Sequence, residues 1–180
     1  MMDRKILETM LLTDGAAPEE IRRAMPRLVD AAQAHYAGHG PLTLRHRVCP
    51  GARPALTALR LRGVPLGLVT GNLSRIGWRK LAHAGLNGFF RFGAFAEQAE
   101  DRAGLVRRAL DLARRQGWLG PRTRVWHVGD HENDILAARA NGIGSIAVAS
   151  GVSPARDLSA LRPDHLLRNL YSFRLEMLQS

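Results

Sequence analysis

Residues 125–135, VWHVGDHENDI, carry the pattern that most clearly predicts the fold class of this chain. A short apolar run leads directly into a glycine and two carboxylates, Asp130 and Asp134. Such a run, bounded by turn residues, is typical of a strand that is buried on both faces of a parallel sheet. Ligands of open parallel sheets bind beside the carboxyl ends of the strands. We therefore expect both carboxylates to lie at the edge of the sheet where a site forms.

Short apolar runs alternate with helical patterns on either side of this stretch. We predict strands within residues 64–69, 89–95, 124–128, 145–149 and 165–167. We predict helices over residues 53–62, 74–84, 102–116, 133–140 and 170–178. Strands that alternate with helices indicate right-handed crossovers and a parallel sheet with helices on both faces. The expected fold class is α/β, with a Rossmann-like parallel sheet.

The first 46 residues differ, because their pattern is helical throughout. One helix is predicted over 3–12, Asp14 and Gly15 interrupt the pattern, and a second helix begins at Pro18 and runs to about Tyr36. Pro26 predicts either a kink or a boundary between two shorter helices. We predict a small helical cap over residues 1–46 and the Rossmann-like core over residues 47–180.

Composition narrows the class of protein. The 180 residues are 46% hydrophobic and 23% charged, as in globular proteins. The sequence contains no apolar run near the roughly 20 residues that a membrane-spanning helix needs, and no signal-peptide pattern. Cys49 is the only cysteine, which excludes an intrachain disulfide and agrees with a reducing compartment. We expect a cytoplasmic protein without a membrane partner.

The net charge of +10 raises the question of an anionic partner. The positive charge is nearly all arginine and is scattered along the chain, so we do not expect nucleic-acid binding. One exception is a helix face with heptad spacing, formed by Arg107, Arg108, Arg114 and Arg115. We interpret it as a solvated face.

A second polar loop follows the predicted strand that ends at Val69. The Thr70 hydroxyl and free backbone amides of Thr70-Gly71-Asn72 are able to hold a phosphate oxygen at the start of a helix. The same three residues also suit an ordinary turn or helix cap. Asp130 and Asp134 likewise suit either Mg²⁺, which prefers oxygen ligands, or the capping of a helix.

The order of these motifs resembles the haloacid dehalogenase superfamily, most closely its phosphoglycolate-phosphatase-like branch. The resemblance covers residues from about Pro50 onward, and the preceding helices resemble that branch's small cap. It implies that Thr70, with Gly71 and Asn72, binds the phosphoryl group and that Asp130 and Asp134 hold Mg²⁺. Arg102 is the nearest match to the family's basic third motif, although it lies a residue or two late. The alternative for Arg102 is a plain arginine at a helix start.

The family's first motif, Asp-x-Asp-Gly-Thr, has no match in this sequence. Asp14 and Gly15 have no aspartate two residues earlier and no threonine after them. We therefore find no nucleophile, and we expect the first, central strand of the sheet to be missing, which favours self-association through exposed edges. A start site placed too far downstream, a truncated gene product and a replaced central strand all remain open.

The resulting functional prediction is a Mg²⁺-dependent phosphatase for a small phosphorylated metabolite such as phosphoglycolate, truncated and weakly active or inactive as this chain. A non-catalytic relative with a binding or regulatory role is one alternative, and a basic nucleic-acid-binding protein is another. We interpret His127 as a hydrogen-bonded core histidine, because no matching ligand set lies nearby. Cys49 is expected to be buried, as free cysteines usually are.

Overall fold

The computed structural model describes residues 2–179, which form an α/β core with helices on its faces. The strands are β1 (Gly67–Val69), β2 (Phe92–Ala94), β3 (Trp126–Gly129), β4 (Gly144–Val148) and β5 (His165–Leu167). The helices are α1 (Asp3–Thr13), α2 (Pro18–His39), α3 (Ala52–Leu61), α4 (Ser74–Ala84), α5 (Arg102–Arg115), α6 (Glu132–Ala140) and α7 (Ala155–Ala160). The predicted alternation of strands and helices is confirmed.

Two of the predicted helices differ from those in the structure. Helix α2 continues through Pro26 and past Gly38, so Pro26 is not a boundary between two helices. Its inner face is anchored on both sides of the proline, by Met25 and Gln33 among others, and this packing outweighs the one lost backbone hydrogen bond. The predicted helix over 170–178 is instead two short 3₁₀ segments, Leu170–Ser172 and Leu175–Leu178. Between them Phe173 adopts an extended backbone and is buried in the core, which interrupts the helix.

Two further differences concern short elements. Strand β1 begins at Gly67 rather than Val64. The reason is Pro65, which has no N–H to donate to a sheet. Helix α7 was not predicted, because its six residues are too few to show a clear helical period.

The strands pair only in parallel, as expected for this fold class, but they form two sheets rather than one. Strand β1 pairs with β2, with Leu68 opposite Gly93. Strands β3, β4 and β5 form the second sheet in that order, with Val128 opposite Ile146. The absence of a first central strand remains a prediction.

Helix α5 joins the two sheets. Leu105 and Ala109 pack against Ala94 of β2 and Val69 of β1. Val106 and Leu110 pack against Val125, just before β3, and Ala137 of α6. Trp118, beyond the end of α5, lies 5.5 Å from the Phe92 ring at the start of β2. The first turn of α5 therefore lies near the carboxyl ends of β1 and β2. Arg102 in that turn pairs with Asp134, beyond the carboxyl end of β3, so both sheets run in the same direction.

The amino-terminal helices pack on the core through α4. Val29, Ala32 and Tyr36 of α2 contact the buried pair Leu73 and Ile76. Gln33, only 5% exposed, accepts a hydrogen bond from the backbone N–H of Arg75 at 2.8 Å. No helix within residues 2–179 is long and apolar enough to cross a membrane.

Replacing Gln33 tests this attachment. Gln33→Ala leaves the Arg75 amide without its acceptor, so we expect the free energy of unfolding to fall by about 1–3 kcal/mol in urea denaturation. Gln33→Glu keeps an acceptor and should retain most of the stability. Gln116→Ala, at an exposed position, is the control and should change stability by less than about 0.5 kcal/mol. Equal effects of Gln33→Ala and Gln116→Ala would contradict the attachment.

Candidate active site

The loop after β1 places three hydrogen-bond donors at the sheet edge. Thr70 donates its backbone N–H to the carbonyl of Ala94, and its hydroxyl oxygen accepts from the Asn72 amide at 3.2 Å. This leaves the hydroxyl proton of Thr70 available. Among residues 2–179, the Gly71 amide and the Asn72 side chain have no hydrogen-bond partner. The loop therefore presents a hydroxyl, a backbone amide and a side-chain amide.

The first amides of α4, in contrast, are already occupied. Asp3 accepts from the Leu73 N–H at 3.1 Å, and both carboxylate oxygens of Glu97 accept from the Ser74 N–H. Gln33 takes the Arg75 N–H. The backbone amides of residues 73–75 are therefore not available to an anion. Local sequence did not reveal this, because the three acceptors come from distant parts of the chain.

The second loop begins with Asp130, directly after β3. Its Oδ2 accepts from the Val152 amide at 3.1 Å, and its carbonyl accepts from the Ser153 amide. Gly151 lies so close that a β-carbon there would collide with the Asp130 carboxylate. The loop after β4 thus holds Asp130 in place while leaving its Oδ1 without a partner among the described residues.

Asp134 is buried in the first turn of α6 and is 2% exposed. Its Oδ1 accepts from Nε of Arg102 at 2.6 Å and lies 3.3 Å from Nε2 of His127. Its Oδ2 accepts a hydrogen bond from the backbone N–H of His131, the residue just before α6, and this hydrogen bond caps the helix. The capping alternative for this aspartate is therefore confirmed, whereas its role in binding Mg²⁺ remains a prediction.

The surroundings of Asp134 keep it ionised. Burial by itself raises the pKa of this carboxyl, but the hydrogen bond from His127 and the charge and hydrogen bond of Arg102 outweigh burial. Together they hold the pKa of Asp134 well below its usual range. Gly129 allows this arrangement, because a β-carbon there would collide with the Asp134 side chain.

The predicted site residues lie at one edge of the molecule. Arg102 begins α5, whose first turn packs near the carboxyl ends of β1 and β2, and it pairs with Asp134 beyond the carboxyl end of β3. Thr70 directly follows β1 and Asp130 directly follows β3 at that same edge. Within residues 2–179, no three His, Cys, Asp or Glu side chains form a group that could hold a metal ion. A cation at this edge therefore needs ligands beyond these two aspartates.

Other expectations had mixed outcomes. His127 does have a hydrogen-bond partner, as predicted, but that partner is Asp134, so His127 belongs to the site. Side chains alternate along a strand, so residues 127 and 129 of β3 lie on the same face. This alternation is the sequence signal that could have identified His127 as a site residue. Cys49 is exposed rather than buried. Arg107, Arg114 and Arg115 are exposed, and Arg114 pairs with Asp111.

The Arg102–Asp134 ion pair can be tested by stability measurements. Arg102→Met removes the partner of a buried carboxylate, so the free energy of unfolding at about pH 7 should fall by about 3 kcal/mol. The lowered pKa of Asp134 stabilises the fold above about pH 4, and this contribution is lost as the pH falls further. Without the Arg102 charge the Asp134 carboxylate of the variant protonates at higher pH, so the difference should shrink toward about pH 4. A difference that does not change with pH would contradict the pairing.

Comparison with known proteins agrees with this geometry. A model of the haloacid dehalogenase-like hydrolase family matches residues 7–142. Phosphoglycolate phosphatase 1 of Pseudomonas aeruginosa is 28% identical over 171 residues, which are 93% of this chain and 58% of that protein. Phosphoglycolate phosphatase of Synechococcus elongatus is 34% identical over 119 residues, 66% of this chain and 53% of that protein. The chain thus spans a little over half the length of these two relatives.

Solved structures show the same fold. The crystal structure of β-phosphoglucomutase from Clostridium difficile superposes with a TM-score of 0.71, at 15% identity, over 99% of this chain and 76% of that one. The family model matches well over half of the sequence. The chain therefore belongs to the haloacid dehalogenase-like hydrolase family and resembles its phosphatases.

Proposed function

We propose that this chain forms the phosphate-binding and Mg²⁺-binding edge of a phosphatase for a small phosphorylated metabolite such as phosphoglycolate. The observation that carries the proposal is the buried ion pair of Arg102 with Asp134, beside Asp130 and at the same sheet edge as Thr70. The names of the two relatives, both phosphoglycolate phosphatases, support the substrate class.

The donors at this edge suit the oxygens of a phosphate group. In the proposed complex the Thr70 hydroxyl, the Gly71 amide and the Asn72 side chain donate to the phosphoryl oxygens. Arg102 uses its Nε for Asp134, which leaves its two terminal nitrogens to face an anion. Because its side chain is 27% exposed, those nitrogens are within reach of solvent and ligand. Such fixed donors stabilise the charge that develops on a transferring phosphoryl group.

The two aspartates fit Mg²⁺ in different ways. Asp130 has an oxygen without a protein partner, whereas both oxygens of Asp134 already accept hydrogen bonds. Mg²⁺ needs only one or two protein carboxylates, and its other ligands come from water and substrate phosphate. We assign Asp130 as the direct ligand and Asp134 as the second carboxylate of the site. When bound, the ion would polarise the phosphoryl group and orient it.

Turnover by this chain is proposed to be weak or absent. A covalent mechanism needs an activated nucleophile, and no two aspartates in the sequence are separated by a single residue. Binding without turnover would correspond to the alternative of a non-catalytic relative. A cytoplasmic location also remains a proposal, for which the single unpaired Cys49 is the support.

Removing the Thr70 hydroxyl tests the phosphate site. Thr70→Val keeps the shape of the side chain but cannot donate, so affinity for phosphoglycolate with Mg²⁺ should fall by about tenfold in titration calorimetry. Thr70→Ser keeps the hydroxyl and should bind within about threefold of the natural chain. Equal affinities of the serine and valine variants would contradict the assigned role.

Removing the Asp130 carboxylate tests the metal site. We expect Asp130→Ala to abolish the Mg²⁺-dependent part of phosphoglycolate binding and any phosphatase activity, because the carboxylate with a free oxygen is lost. Asp111→Ala removes an exposed carboxylate on α5 and should leave both unchanged. Mg²⁺-dependent binding that survives Asp130→Ala would overturn the assignment.

A further inference from the structure

An apolar channel of about 1170 Å³ lies between the two sheets. It exceeds the roughly 300–1,000 Å³ of typical small-molecule pockets. Two of its walls are edges of β1 and β3, on which neither strand pairs with any strand formed by residues 2–179. Helices line its other two sides: Ala52, Ala55 and Leu59 of α3, and Val106, Ala109 and Leu110 of α5. The channel thus has the surroundings of a strand position inside an α/β sandwich.

The backbone directions agree with this shape. The Leu66 carbonyl and the Thr70 amide bond to β2, so alternation directs the amides and carbonyls of Gly67 and Val69 toward the channel. The Val125 carbonyl bonds to β4, so the corresponding groups of Trp126 and Val128 point into the channel from the other wall. Both walls therefore present the hydrogen-bonding pattern that a further strand completes.

The burial of the strands points the same way. In β4, which has a strand on each side, the last four residues are buried. No residue of β1 or β3 is fully buried, and Val128 is 42% exposed although its strand is apolar. An apolar strand with helices on both sides gains stability when a neighbouring strand covers its free edge.

The charges along the channel are asymmetric. Arg62 precedes β1, and Arg122 and Arg124 precede β3, so these side chains line the channel at the amino ends of its walls. Of the residues that the structure describes, no aspartate or glutamate lines the channel. Asp130 lies just past the opposite, carboxyl end. The preferred occupant therefore has acidic residues before its apolar part.

We infer that the channel is a binding site for an extended, apolar segment of polypeptide, at least about four residues long, that runs parallel to β1 and β3. Its length follows from the walls of three and four residues and the rise of about 3.3 Å per residue. The segment pairs with both edges and joins the two sheets into one. A strand from the folded core of a second copy does not fit into the channel, because helices of that copy already cover both faces of the strand.

Residues 2 and 3 contact the carboxyl end of one channel wall. Asp3 donates its N–H to the Gly71 carbonyl at 2.7 Å, and Met2 packs in the same cluster as Val69. Residues 2 and 3 therefore lie beside the carboxyl end of the channel.

Peptide binding to the full chain tests this inference without Mg²⁺ or phosphoglycolate, so it is independent of the proposed function. The probe is a capped peptide of two glutamates, five alternating valines and isoleucines, and two lysines. We expect it to bind, and we expect amide hydrogen exchange to slow at Gly67, Val69, Trp126 and Val128. The same peptide in reverse order, or with proline at its centre, should bind at least about tenfold more weakly.

Two substitutions of matched exposure provide the control. Val128→Lys introduces a charge at the channel wall, and Leu166→Lys introduces one in β5, outside the channel, at a position 41% exposed. Val128→Lys should weaken binding at least about tenfold and Leu166→Lys less than about twofold. Circular dichroism checks that both variants fold, and hydrogen exchange in the natural chain tests the site without any variant.

Four results would overturn the inference. They are no binding of the forward peptide, equal binding of forward and reverse peptides, protection of amides outside the channel, and equal effects of the two lysine variants. A stable dimer that excludes the peptide would also overturn it, in favour of a second copy as the occupant.

Discussion

The ion pair between Arg102 and Asp134 is the interaction on which the site depends. It links α5, the helix that packs on both sheets, to the first turn of α6, which follows the Asp130 loop. A buried carboxylate is stable only with partners, and Asp134 has Arg102, His127 and the amide of His131. Because α5 also supports β1, the pair sets the position of the Asp130 loop relative to the Thr70 loop.

The features of the fold that were predicted correctly from the sequence are those that a local pattern of residues determines. Alternating apolar runs and helical periods predicted the parallel α/β core, and the loops at Thr70 and Asp130 stood out because polar residues directly follow short apolar runs. Contacts between distant residues were not predictable in this way. Gln33, Asp3 and Glu97 occupy the amides at the start of α4, and Phe173 interrupts a predicted helix by entering the core. Each depends on tertiary packing, which a single sequence does not display.

The organisation into two sheets connects the proposed chemistry to the channel. Thr70 directly follows a strand of one sheet and Asp130 directly follows a strand of the other, so their separation depends on what holds β1 and β3 apart. Helices α3 and α5 span that distance with apolar side chains. A strand bound between the two edges would add hydrogen bonds to both walls and make the spacing of the two loops more rigid. The peptide site and the phosphate site are therefore mechanically coupled in this account, although each is tested separately.

Paramagnetic relaxation by Mn²⁺, used in place of Mg²⁺, tests the central claim that two loops from two sheets form one cation and phosphate site. In the presence of phosphoglycolate, Mn²⁺ should broaden the amide resonances of residues 70–72 and 129–133 at the same metal concentration. The effect should disappear in Asp130→Ala. Broadening confined to one loop, or unchanged by that substitution, would contradict the account.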